Sequence, residues 1–341
     1  MMATEAKTTA MVITRTPFRM SFFGGGSDIP EHFENNAGAV LSTTFDKYCF
    51  VNVRYLPPFF SYKSEIVYSE IERVASACQI THPLVREAML MSGLEGIRLT
   101  YEGDLPARTG LGTSSSFAVG TLNAFHILKG EETSKRRLAE EAIVLERERC
   151  KEAGGWQDQI AAAYGGLNYI EFDNDDFSVS PVEINPDRNR ALNDRLMLFF
   201  TGFTRLSSEV QRVNRVESKT KSLNEMAALA LEGKRILEND GRSLSDFGSL
   251  LDYTWRIKRG LGSMVSTAPI DSLYERAIRA GATGGKLLGA GGGGFLLLYV
   301  EPELQSSVSA ALEELTLVPF RFEESGTQVI HFSHFSDSPL E

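Results

Sequence analysis

A glycine- and hydroxyl-rich loop, Pro106–Ser116 (PARTGLGTSSS), stands between two segments of different periodicity. Ile97–Tyr101 before it reads as a strand. Residues 114–128 after it carry Phe117, Val119, Leu122, Phe125 and Leu128 at helical spacing. A strand–loop–helix unit of this kind brings the free amides and the positive dipole end of a helix to the loop. Gly110 and Gly112 let the backbone approach a ligand closely, and Thr113 to Ser116 add hydroxyls. The pattern is that of a phosphate cradle, although a glycine turn with serine caps has the same letters.

The chain around this loop has 341 residues, 42% of them hydrophobic, which is enough for two domains. Strands are expected over 11–23, 39–56, 97–101, 167–172, 196–200, 295–300 and 328–333. Helices are expected over 83–92, 114–128, 134–152 (with Ser134 as N-cap), 156–164 and 271–280, with helical patterns running to about 265. Residues 185–193 are polar and read as a domain junction. The class is therefore α+β in two lobes, an N-terminal one over 11–185 and a C-terminal one over 193–338.

A net charge of −10 argues against nucleic acid or an anionic membrane as partner. It leaves a nucleotide open, because backbone amides, a helix N-terminus and a few basic residues can supply local positive potential. The apolar runs, such as Phe295–Val300, are too short to cross a bilayer, and the first residues have no apolar signal core. Cys49, Cys78 and Cys150 are odd in number and widely spaced, so a reducing cytoplasm is expected.

Other motifs are less persuasive. Asp173–Asp176 lacks the glycine and closing glutamate of a calcium loop and reads as a solvated turn. Gly289–Gly294 is literally GxGxxG, but it runs into a strand with no βαβ unit after it. Gly281–Lys286 is one residue short of a Walker A loop and is followed by Leu287. His331 and His334, three apart, would point to opposite faces of a strand. Cys150 has no histidine in view.

Three further segments accompany the loop: Thr16–Asp28 (TPFRMSFFGGGSD), Gly154–Gln159 (GGWQDQ) and Lys286–Phe295 (KLLGAGGGGF). Together, and in this order along nearly the whole chain, they resemble the motifs of the GHMP kinases, which include galactokinase, homoserine kinase, mevalonate kinase and phosphomevalonate kinase. The loop follows that family's P-x-x-x-G-L-G-S-S-A, with Thr113 in place of the first serine and Ser115 in place of the alanine. The resemblance implies the two-lobed GHMP fold, with an N-terminal lobe like domain 2 of ribosomal protein S5 and a ferredoxin-like C-terminal lobe. It also implies ATP as phosphoryl donor and Mg²⁺ as its partner.

By the same resemblance, Arg108, Thr109, Gly110, Leu111, Gly112, Thr113, Ser114 and Ser115 would bind the ATP phosphates. Ser114, with Thr113 next, would ligate Mg²⁺, and one glutamate of the charged helix would complete the metal's shell. Glu148 fits the mevalonate-kinase spacing to Asp158 and is preferred, while Glu146 fits the galactokinase spacing. Arg19 would stabilise the transferring phosphoryl group and Asp158 would face the acceptor hydroxyl, orienting it and taking its proton late. Gly24, Gly25, Gly26, Ser27 and Asp28 would bind substrate, as would Gly291, Gly292 and Gly293 of the closing glycine loop.

The detailed wording of the motifs is similar to the sugar-kinase branch that contains D-glycero-D-manno-heptose 7-phosphate kinases. The expected reaction is phosphorylation of an anomeric hydroxyl to give a 1,7-bisphosphate on the way to nucleotide-activated heptose for surface polysaccharide. A phosphorylated sugar needs a basic pocket, and Arg205 could supply part of it. Pro57–Lys63 is the expected neighbourhood of adenine. Partners are then a nucleotide and a phosphosugar, with neither nucleic acid nor membrane.

Overall fold

The computed structural model describes residues 9–57, 59–107, 109–202, 220–262, 265–289 and 291–335. Two long strands, β1 (Thr9–Phe23) and β2 (Gly38–Tyr55), form its spine and pair antiparallel. In the first half of β1, Val12, Thr14 and Thr16 are buried while Met11, Ile13 and Arg15 are half-exposed, the alternation of a sheet with one face in water. Beyond a register shift at Pro17/Phe18 the burial is continuous through Phe23, so both faces are covered there.

A short helix α1 (Pro30–Phe33) joins the two strands. After β2 come the hairpin β3 (Ser64–Val67) and β4 (Ile71–Val74), helix α2 (Pro83–Ser92) and strand β5 (Ile97–Gly103). Helix α3 (Thr113–Leu128) packs on β1 and β2, with Thr14 Oγ1 donating to Gly120 O at 2.9 Å. Helix α4 (Lys135–Ile143) continues as a π-helical segment, Val144–Arg149. Then follow α5 (Gln157–Tyr164), β6 (Asn168–Asp173) and β7 (Asp176–Pro181).

Helix α6 (Pro186–Asp194) leads into β8 (Leu196–Phe200). Helices α7 (Thr220–Glu238), α8 (Ser245–Arg259) and α9 (Ala268–Arg279) precede β9 (Ala282–Leu287) and β10 (Phe295–Val300). Helix α10 (Gln305–Ala311), β11 (Thr316–Leu317), β12 (Phe322–Glu323) and β13 (Gln328–Phe335) complete the described chain. One sheet runs β13-β1-β2-β5-β3-β4, with β6 and β12 also on β2 and β7 on β6; the other runs β11-β8-β10-β9.

The α+β class holds, and several expectations change in detail. The polar segment 185–193 is a helix: Asn185 Oδ1 accepts from Asp187 N at 2.9 Å and Pro186 occupies the first turn, a start signal that its polarity masked. The helix expected over 134–152 begins as read, with Ser134 Oγ accepting from Arg137 N, but turns π-helical at Val144. The hairpin β3–β4 and the glycine-rich strand β9 were not anticipated. Strands β12 and β13 belong to the first sheet although the sequence grouped them with the second lobe, because β1 offers its free edge to β13.

The two sheets share a core. Phe247 of α8 meets the rings of Phe22 and Phe23 nearly edge-on, at centroid distances of 5.2 and 4.9 Å. This contact places the end of β1, with Arg19 on it, against the helices of the second half.

Candidate active site

Helix α3 starts at Gly112, whose φ of +71° is left-handed and whose place is taken by no side-chain cap. The first amides of a sixteen-residue helix thus open onto the loop without a capping oxygen from the chain. The hydroxyls around them divide. Thr109 Oγ1 donates to Pro106 O and Ser116 Oγ to Pro17 O, both at 2.8 Å, which fastens the loop. Ser114 is exposed, while Thr113 and Ser115 are buried.

The C-terminal glycine loop lies directly on this one. A Cβ on Gly110 would stand 2.6 Å from Leu288 O and 2.8 Å from Gly289 Cα, so only glycine permits the approach. Gly292 N donates to Val265 O at 3.2 Å, tying the same loop to the segment before α9. Gly289 and Gly294, at the two ends of the loop, touch Gly110 and Thr109 of the phosphate loop, while Gly291 and Gly292 between them lie on Val265.

Arg19 is buried on β1 and reaches across to α5. Its Nε donates to Asp158 Oδ1 at 2.7 Å and its Nη2 to Asp158 Oδ2 at 2.8 Å, a bidentate pair that fixes both planes. Its Nη1 donates to Gly110 O at 2.7 Å, and its own N–H donates to Leu111 O at 3.1 Å. The two residues expected to do the chemistry are therefore in contact with each other and with the phosphate loop.

Asp28 closes the other side. It is buried, accepts from Gly26 N at 2.7 Å and Gln157 N at 3.3 Å, and burial pushes its carboxyl above the usual range, with the charge of Asp158 adding to the effect. A side chain on Gly155 would collide with that carboxylate, which accounts for this glycine, whereas Gly154 before it has open space. Ser27, expected to bind substrate, instead donates its hydroxyl to Gly24 O and Ala39 O at 2.8 and 3.0 Å and is fully buried. It shapes the glycine turn from beneath. Arg108 and Arg205 lie outside the described residues.

The two candidate glutamates separate cleanly. Glu148, the preferred one, is exposed; Glu146 is 3% exposed and faces the loop. Its Oε1 accepts from Ser114 Oγ at 2.7 Å, and its Oε2 from Ser115 Oγ at 2.6 Å and Gln159 Nε2 at 2.5 Å. Burial pushes this carboxyl up to about 7, against the lowering effect of the two serines. The preference for Glu148 rests on its mevalonate-kinase spacing to Asp158; Glu146, which has the galactokinase spacing, lies four residues beyond buried Ala142 and faces inward with it.

Two lysines join the site that sequence reasoning had not given a role. Lys258, at the end of α8, is 9% exposed and donates to Gly289 O. Burial lowers its ammonium to about 8, with Arg19 acting in the same direction and Asp28 and Asp158 against it. Lys286, on β9, is 1% exposed, donates to Phe22 O at 2.7 Å, and is held well below the usual lysine range by burial, Lys258 and Arg19. A signal for Lys258 was present: Phe247, Leu251, Trp255 and Lys258 fall on one helical face, and the first three are apolar.

A helix N-terminus free of a side-chain cap, an arginine–aspartate pair and two buried ammoniums brought together are parts that a phosphotransferase site needs. The chain matches the GHMP kinases N terminal domain over residues 73–166 and the GHMP kinases C terminal domain over 227–315. It is 30% identical to D-glycero-alpha-D-manno-heptose 7-phosphate kinase of Campylobacter jejuni, over 92% of this chain and 97% of that one. It is 28% identical to a bifunctional fucokinase/GDP-fucose pyrophosphorylase of Arabidopsis thaliana over 87% of its own length, which spans 31% of that larger protein. In structure it is similar to a D-glycero-D-manno-heptose 1-phosphate kinase from Bacteriodes thetaiotaomicron (TM-score 0.76, 24% identity, covering 96% of this chain and 100% of that one). The fold is also that of Lactococcus lactis galactokinase (TM-score 0.71, 17% identity, 93% of this chain and 95% of that one). The chain belongs to the GHMP kinases and is a sugar kinase of that family.

Proposed function

We propose that this kinase transfers the γ-phosphoryl group of ATP to the anomeric hydroxyl of D-glycero-D-manno-heptose 7-phosphate, giving the 1,7-bisphosphate for nucleotide-activated heptose in surface polysaccharide. The observation that carries the reading is the 30% identity to a heptose 7-phosphate kinase along 92% of the chain. The cleft supports it chemically. Asp158, held by Arg19, orients the acceptor hydroxyl. As the new O–P bond forms and the bond to the bridging oxygen of ADP breaks, the hydroxyl proton passes to an Asp158 oxygen and ADP leaves with the bonding pair. An anomeric hydroxyl is more acidic than an ordinary alcohol, which suits a carboxylate base.

The α3 amides bind the phosphates and Arg19 offsets charge on the moving group. Among the described residues no group of three or more His, Cys, Asp or Glu side chains is arranged to hold a metal. Ser114 and the buried carboxylate of Glu146 nevertheless fit Mg²⁺, which keeps most of its shell as water and phosphate oxygens. Bound there, Mg²⁺ would neutralise charge on the β- and γ-phosphates.

Adenine is assigned to Pro57–Lys63, where Phe59 is exposed and Phe60 stacks on Tyr62 at 5.2 Å. Arg205 is assigned to the 7-phosphate and the enzyme to the cytoplasm on the odd, widely spaced cysteines; separately, no described helix is long and apolar enough to cross a membrane. ³¹P NMR of the product from ATP and heptose 7-phosphate tests the proposal: a second phosphorus signal at C1 is expected, and none at any excess of enzyme would refute it. A fucose- or galactose-type acceptor is the second reading, favoured by the fucokinase match, and ADP release across a sugar panel separates the two.

A further inference from the structure

Arg19 spends its guanidinium on Asp158 and Gly110 before any substrate arrives. Its charge is shared with that carboxylate, so only part of its attraction, with two of its five N–H donors, is left for an incoming phosphoryl group. Lys258 stands differently. Its ammonium has three donors and one acceptor, Gly289 O, among the described residues. Gly289 is packed on Gly110, whose carbonyl is held by Arg19, so the ammonium sits where the C-terminal glycine loop meets the phosphate loop. Lys286 is fixed on Phe22 O behind it.

We propose that Lys258 is a catalytic residue of this kinase: with nucleotide bound, its ammonium turns its unused donors onto the oxygens of the transferring phosphoryl group, while its bond to Gly289 O holds the glycine loop closed over them. The inference rests on reading Asp158 and Arg19 as the transfer point. No bond to lysine forms; its contribution is charge that grows in value as the γ-phosphoryl group detaches. The groups that face it are Arg19 from β1, Asp28 from the turn after β1, Asp158 from α5 and Lys286 from β9. Three basic side chains thus gather round two carboxyl groups, and burial holds both lysines below their usual range. That surplus is unfavourable in the empty site and favourable around a polyanion. The lowered ammonium, at about 8, fits this: an arriving phosphate should return its proton.

The test is proton uptake, measured by titration calorimetry in two buffers of different ionisation enthalpy, as the full-length protein binds the non-hydrolysable analogue AMP-PNP with Mg²⁺ at pH 8.5. Wild type should take up about half to one proton per site. Lys258→Arg, whose charge is permanent, should take up clearly less, Lys286 being the other lowered ammonium, and keep kcat within about tenfold. Lys258→Met should lower kcat about 10²- to 10³-fold with the acceptor KM within about threefold. Uptake as large in Lys258→Arg as in wild type, absence of uptake in wild type, or a folded Lys258→Met with kcat near wild type would each overturn the proposal. If Lys258→Met does not fold, the wild-type and arginine titrations still decide. The calorimetric arm uses no sugar, so failure of the heptose assignment leaves it intact and is seen separately in the NMR product.

Discussion

Glu146 carries a carboxyl group into the protein among three neutral donors, Ser114, Ser115 and Gln159, and burial raises it to about 7. Its folded value lies above its ordinary 4.5, so folding favours the protonated form. The contribution of this group to the stability of the metal-free protein is therefore most favourable below about pH 4.5. It falls as pH rises, and above pH 7 the full cost of about 3 kcal/mol is present. Glu146→Gln should flatten that fall relative to wild type in urea unfolding between pH 4.5 and 7, and should weaken the apparent Mg²⁺ affinity of turnover at least about tenfold. Parallel pH slopes in the two proteins would remove Glu146 from this role. Asp158 makes a different prediction. Asp158→Asn keeps the shape and loses the base, so kcat should drop about 10²- to 10⁴-fold with the fold and nucleotide binding kept, while the melting temperature falls because buried Arg19 loses its paired charge. Near wild-type turnover would end the assignment.

At the scale of elements, the site is a contact between two loops, each useless alone. Gly110 has a φ of +81° and meets the backbone of Leu288 and Gly289. Gly110→Ala adds left-handed strain and a steric clash, so it should lift one loop off the other and cost about 10²-fold in kcat, seen in steady-state kinetics. A control lies one element away: Ser134 caps α4 through Arg137 N, so Ser134→Ala should cost about 1 kcal/mol in denaturant unfolding and leave kcat unchanged. A loss of kcat there would show that α4 is coupled to the chemistry through the π-helical segment, contrary to this division.

For the whole molecule, the shared core decides how the halves behave. Phe247 fills the space between Phe22 and Phe23, so Phe247→Ala should cost about 3–5 kcal/mol. Because one core serves both sheets, calorimetry should record one cooperative transition in wild type, and two separated transitions would contradict this. Closing the first sheet with β13 also ties the end of the described chain to the strand that carries Arg19.

Much of this was legible in the residues themselves. Glycine where the backbone must turn left or touch another backbone and hydroxyls at a helix start are local facts, and they pointed to the 106–116 loop; Arg19 and Asp158 came from the likeness of four motifs, in order, to those of the GHMP kinases. Periodicity also found the long strands and Ser134, because burial on one face leaves a regular trace. What it could not give were relations between distant segments. The choice of Glu146 over Glu148 rests on which of them meets Ser114, Ser115 and Gln159, a contact between three separate segments. Ser27 became a backbone support because its hydroxyl meets Ala39 O. The 185–193 helix was hidden by polarity, since its apolar contacts are few. Lys258 and Lys286 acquire a role only when α8 and β9 are packed against β1. Charge and burial are properties of a neighbourhood, and a neighbourhood of residues 19, 28, 158, 258 and 286 exists only in the folded chain.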